Sequence, residues 1–134
     1  MHKLILGDSL VELKKLENES IDLIYADPPF NTKTDQKKTS KDRKSKNFYK
    51  DYWKNGKDYS NWLKPIISEC HRILKDTGCL FLNIGDKYSK KGLKLIPERI
   101  AIAMSDNGWI LRNNIIWYKP NHMPTSVKDR FCNT

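Results

Sequence analysis

The chain has 134 residues, 38% hydrophobic and 31% charged, with 25 Lys+Arg against 16 Asp+Glu and a formal net charge of +9. That length accommodates one domain, and the basic excess fits either a nucleic-acid partner or a merely basic soluble protein. The three cysteines (Cys70, Cys79 and Cys132) are too scattered for a CxxC or Cys/His metal set, and the leading apolar run, Leu4 to Leu6, is too short for a signal peptide or a membrane span, so a cytoplasmic protein with no metal site and no membrane partner is expected.

In chain order, residues 3–6 (KLIL) read as a short strand. Gly7-Asp8-Ser9 follows, with Asp8 or Ser9 placed to cap a helix that carries Leu10, Leu13 and Leu16 and stops at Asn18. The run Ile21 to Ala26, broken only by Asp22, suits a strand buried on both faces of a parallel sheet. Residues 33–59 hold ten Lys+Arg against four Asp, a local net of +6. Their first half is poor in apolar residues and reads as a loop. The second half interleaves Phe48, Tyr49, Tyr52, Trp53 and Tyr59 with charges. A helix is predicted from a cap at Ser60, with Pro65 near its first turn and Trp62/Leu63, Ile66/Ile67, Cys70 and Ile73/Leu74 at helical spacing, ending at Asp76-Thr77-Gly78. Cys79 to Ile84 reads as a strand closed by Gly85-Asp86. Pro97 opens a helix through Met104 that Asn107-Gly108 stops, and a further strand is predicted between Trp109 and Tyr118. This alternation predicts an α/β layered structure with a mainly parallel sheet.

Asp27-Pro28-Pro29-Phe30 falls at the carboxyl end of a predicted strand, where open parallel sheets bind ligands. At neutral pH the Asp27 carboxylate only accepts hydrogen bonds. The Pro28 carbonyl is a second acceptor on a backbone stiffened by the proline pair, and Phe30 offers a flat apolar surface. Two fixed acceptors beside an aromatic face suit a planar ligand with an NH₂ group, such as a nucleobase amine. Holding the amine hydrogens localises a lone pair otherwise delocalised into the ring, and a carboxylate meets the positive charge that develops on attack. A plain strand-end turn is the alternative for the same residues.

The segment IDLIYADPPFN resembles the catalytic motif of the amino-group DNA methyltransferases, which act on adenine N6 or cytosine N4. GDSLVELKKL, WLKPIISECHRILKDTGCLFLNIGD and NGWILRNNIIWYKPNHMPTSVKDR are similar to the family's neighbouring segments, in the same order. The resemblance implies a three-layer Rossmann-like methyltransferase fold, S-adenosylmethionine as cofactor and DNA as partner, in a restriction-modification or orphan-methylation system. It implies that Asp27 and the Pro28 backbone bind the target amine, with Pro29 part of the same catalytic motif and Asp27 also at the cofactor, and that Phe30 stacks on a base taken out of the duplex. Asp8 is placed near the cofactor's adenosine, unless its role is only to cap a helix. Residues 33–59 are either a solvated loop or a clamp on DNA, with Lys37, Lys38, Arg43 and Lys44 on phosphates and Tyr52 and Trp53 packing or stacking. Lys119 and Asn121, just past a strand end, belong to the same nucleic-acid-binding set, and Asp86 is a lesser candidate of that kind. Trp62, Trp109 and Trp117 are expected in the core.

No two of the six glycines lie close enough for a GxG turn, the feature that holds the methyl donor in this family. In the permuted subgroup, with the catalytic motif near the N-terminus, that loop lies far downstream. Residues 1–134 are therefore expected to be the N-terminal part of a single catalytic domain, with a basic insert at about 33–59, and to methylate little or nothing alone. Amino-methylation of RNA and a non-catalytic basic nucleic-acid-binding module are the competing readings.

Overall fold

The computed structural model describes residues 2–29, 56–89 and 92–120. Helix α1 spans Ser9–Leu13 and strand β1 Ile21–Ala26; helix α2 spans Gly56–Ile73 and strand β2 Leu74–Leu82. A small antiparallel pair, β3 (Tyr88–Ser89) and β4 (Gly92–Leu93), leads into helix α3, Ile96–Ser105. The class is α/β, as the alternation of patterns predicts, and β1 and β2 pair in parallel.

Each helix begins for an identifiable reason. The Asp8 side chain accepts from the Val11 N–H at 3.2 Å and so caps α1. The predicted stop at Asn18 is late, because α1 ends at Leu13. Arg72 of α2 reaches across to the carbonyls of Leu13 and Leu16, which then need no further helical turn. At the start of α3 the proline supplies a preset φ and lacks only an N–H that would go unused there. Gly108, at φ 90, turns the chain after that helix.

Helix α2 starts at Gly56, before the predicted cap at Ser60, so that Ser60 and Pro65 both lie inside it. Tyr59 is part of its buried face rather than of a basic insert. Tyr59, Leu63 and Ile67, four residues apart, form one cluster with Ile96 and Ile100 of α3, and Trp62, Leu82, Ile84, Met104 and Trp109 pack around it. Each such aliphatic side chain stabilises by roughly 1.5–3 kcal/mol, which outweighs the one hydrogen bond that Pro65 removes from the helix.

The predicted helix end at Asp76-Thr77-Gly78 lies within β2 instead. Ile21 pairs with Leu74 but Leu23 with Cys79, so β2 carries extra residues where β1 has one, and the excess forms a bulge. Gly78 sits in the bulge, where an added Cβ would meet Leu74 Cδ2 at 2.9 Å and the Lys75 carbonyl oxygen at 3.0 Å. Beyond it the register is even, from Leu23/Cys79 to Ala26/Leu82.

Three further expectations are corrected. β1 is not buried on both faces: Ile24 and Ala26 are half-buried on one face, whereas Leu23 and Tyr25 on the other are 55% and 65% exposed. Residues 3–6 and 109–118 form no strand, because a strand needs a hydrogen-bonded neighbour and neither segment pairs with β1 or β2. Trp117 is consequently 71% exposed rather than in the core, while Trp62 and Trp109 pack as expected. No helix among the described residues is long and apolar enough to cross a membrane.

Candidate active site

The even register sets the carboxyl ends of β1 and β2 side by side. The Asn83 N–H, one residue past β2, donates to the carbonyl of Ala26, the last residue of β1, at 2.8 Å. The next residue of the first strand is Asp27, whose exposed carboxylate receives the Asn83 amide: Nδ2 lies 3.1 Å from Oδ1. Pro28 and Pro29 follow, half-buried. Prolines fit there because the chain leaves the sheet and no ladder N–H is lost.

These residues open onto a cleft of about 300 Å³ between the strand ends and α2. Its walls are Ala26, Leu80 and Leu82 from the sheet, and Trp62, Leu63, Ile66, Ile67 and Cys70 from α2. Asp27, Pro28, Pro29 and Ser9 line the same space. Mostly apolar walls with a few convergent polar groups are typical of small-ligand sites, and the size falls at the lower end of their range of roughly 300–1,000 Å³. Burial pushes the Cys70 thiol up, and the neighbouring Glu69 carboxylate adds to the effect, so this wall is uncharged at neutral pH. A flat, mainly apolar ring carrying an amine matches such a space, with the Asp27 carboxylate among its few polar lining groups.

Of the residues singled out from sequence, Asp27, Pro28 and Pro29 converge on the cleft, and Asp8 stands next to its lining residue Ser9. Phe30, Lys37, Lys38, Arg43, Lys44, Tyr52, Trp53 and Asn121 lie outside the described residues. Lys119 is exposed, with its Nζ 6.0 Å from the centre of the Trp117 ring. Asp86 is turned to structural work: its carboxylate accepts the N–H groups of Lys87 (2.8 Å), Leu95 (2.8 Å) and Ile96 (3.1 Å), fixing the entry to α3. No cluster of metal-ligating side chains occurs among the described residues.

Sequence reasoning missed Asn83 and the α2 wall. The signal for Asn83 was available once β1 and β2 are paired end to end, because the residue after one strand must then neighbour the residue after the other. The α2 wall, from Trp62 to Cys70, follows from the same apolar stripe that marks the helix, since only part of that stripe is covered by α3.

Known proteins similar to this chain are of one kind. A family model described as DNA methylase matches residues 21–134. The type II methyltransferase M.MwoI of Methanothermobacter wolfeii is 41% identical over 136 residues, covering 98% of this chain and 19% of the relative. M.SfiI of Streptomyces fimbriatus is 34% identical, covering 98% of this chain and 33% of its own length. M.SmaI of Serratia marcescens is 31% identical, with 96% and 51% covered. The chain thus spans about a fifth to a half of the length of these relatives. Among solved structures, the PvuII DNA methyltransferase (cytosine-N4-specific) superposes with a TM-score of 0.54 at 25% identity, over 75% of this chain and 32% of that one.

Proposed function

The chain belongs to the DNA methylase family, and on that premise we propose that it carries the target-amine half of an S-adenosylmethionine-dependent DNA methyltransferase acting on adenine N6 or cytosine N4. The observation that carries this reading is the placement of Asp27-Pro28-Pro29 at the mouth of an apolar cleft, at the carboxyl end of a parallel strand pair.

A base that has left the duplex stack enters the cleft. Trp62, Leu63 and Ile66 exclude water from its ring, and Phe30 adds a stacking face. The Asp27 carboxylate and the Pro28 carbonyl accept the two amine hydrogens, which draws the nitrogen lone pair out of the ring. S-adenosylmethionine, when bound, would supply an electrophilic methyl carbon, its carbon–sulfur bond breaking as the nitrogen–carbon bond forms and its sulfonium leaving as a neutral thioether. The Asp27 carboxylate then lies against the positive charge developing on the amine and stabilises it.

Asp8 is the residue of this chain that contacts the cofactor's adenosine. It fits by position, being exposed at the start of α1 beside Ser9, which shares the cleft with Asp27. The rest of the donor site comes from the part of the enzyme that corresponds to the remaining length of the relatives. The 134 residues alone therefore bind S-adenosylmethionine weakly and methylate little. Lys37, Lys38, Arg43, Lys44, Tyr52, Trp53, Lys119 and Asn121 form the DNA-contacting set, which the formal charge of +9 supports. A type II restriction-modification enzyme working in the cytoplasm is the whole-protein role.

The test is product identification. Full-length enzyme is incubated with unmethylated genomic DNA and isotope-labelled S-adenosylmethionine, and the DNA is digested to nucleosides. Label in N6-methyladenine or N4-methylcytosine is expected. Label only in 5-methylcytosine, or none in DNA, contradicts the reading.

A further inference from the structure

Asp27 is exposed and stands one residue past the end of β1. A carboxylate in that setting samples several rotamers unless a neighbour restrains it, and an acceptor aimed at an amine must be held to within about half an ångström to be useful. The Asn83 amide meets the requirement. Its Nδ2 lies 3.1 Å from Asp27 Oδ1, and the carboxylate, having no hydrogen of its own at neutral pH, can only be met by the NH₂ end of the amide. Asn83 is half-buried, and its own N–H is tied to the Ala26 carbonyl at 2.8 Å, so the amide projects from a fixed base.

We propose that Asn83 is a positioning residue for methyl transfer, engaging Asp27 Oδ1 and thereby leaving Oδ2 aimed at the target amine. The inference rests on the role given to Asp27 above. It adds a requirement which that role alone does not make: the residue beside Asp27 must donate a hydrogen bond, and filling the space is not enough.

Asn83→Asp separates the two. It keeps size and shape but replaces the donor with a second carboxylate, which repels the first. In the full-length enzyme, with unmethylated genomic DNA and labelled S-adenosylmethionine, Asn83→Ala is expected to lower kcat about 10- to 100-fold. KM for DNA should move by less than about threefold, since the contact acts on the reacting geometry rather than on binding. Asn83→Asp should fall below Asn83→Ala. In the Asp27→Ala background, Asn83→Ala should cost nothing further, as expected of residues acting as one unit. Should Asn83→Asp unfold the strand end, Asn83→Leu carries the same test, being of similar size without a donor, and should match Asn83→Ala. Activity of Asn83→Asp or Asn83→Leu at or near the wild-type level, while Asp27→Ala is inactive, overturns the role of Asn83 alone. Wild-type activity in Asp27→Ala overturns the functional reading itself.

Discussion

Arg72 of α2 closes the end of α1 at Leu13, donating from Nη2 to the Leu13 carbonyl at 3.0 Å. The same guanidinium reaches the Leu16 carbonyl at 2.9 Å and Asn18 Oδ1 at 2.6 Å, and its Nε is paired with Glu69 at 2.8 Å. A helix of five residues does not hold itself together in water. Its last carbonyls need donors, and a cation at that end also suits the helix dipole. The segment that carries Asp8 and presents Ser9 to the cleft is therefore fastened from α2.

Replacing Arg72 with Ala should loosen α1 by about 1.5–3 kcal/mol, the range for hydrogen bonds to a charged group. In the full-length enzyme this appears as roughly 10- to 100-fold faster amide exchange over residues 9–16. Arg72→Lys should restore only part of the protection, because an ammonium cannot span carbonyls as a planar fork does.

Asp86 works in the same manner at the start of α3. Leu95 has φ 55, a left-handed conformation that costs a leucine of order 1 kcal/mol, and its N–H is held by Asp86 Oδ2. Asp86→Ala should speed exchange over residues 95–100 by about 5- to 30-fold, corresponding to about 1–2 kcal/mol for a lost cap. Methyl transfer by Asp86→Ala should fall far less than by Asp27→Ala. Equal losses would give Asp86 a part in the chemistry.

The two described thiols should differ sharply. Cys79 is exposed and Cys70 is buried in the cleft wall. Alkylation near pH 8, read peptide by peptide, should therefore modify Cys79 first. Burial raises the folded-state value of Cys70 above the ordinary 9.0, so above that pH the unfolded chain loses its thiol proton first. The stabilisation is complete below pH 9.0 and is lost as pH rises from there through the folded value. Between pH 8 and pH 10 the wild-type denaturation midpoint should fall more than that of Cys70→Ser.

Much of this molecule is written locally. Pro97 and Asn107-Gly108 mark α3 closely, and the apolar run from Ile21 to Ala26, broken only by Asp22, marks β1. Asp27, Pro28 and Pro29 stand out in the sequence by residue type alone, and all three line the cleft. What escaped is what depends on pairing. Helix α2 begins inside a charge-rich stretch because Tyr59 finds a core with Ile96 and Ile100, nearly forty residues away. Asp76-Thr77-Gly78 looks like a helix stop, and becomes a bulge only because β1 is there to hold both ends of β2. Residues 3–6 and 109–118 carry strand-like patterns, yet a pattern without a neighbouring ladder makes no strand. Asn83 gains its significance solely from the register that sets it beside Asp27.

The central claim is that Asp27 holds the methyl-accepting amine. It is tested most directly by single-turnover methyl transfer with full-length Asp27→Ala and wild-type enzyme on the same unmethylated DNA, with DNA affinity measured in parallel across salt concentrations. The account predicts a rate at least ~10²-fold lower, as for loss of one group facing developing charge, with DNA affinity within about threefold and an unchanged salt slope. A wild-type rate in Asp27→Ala, or a loss of DNA binding as large as the loss of methylation, would contradict it.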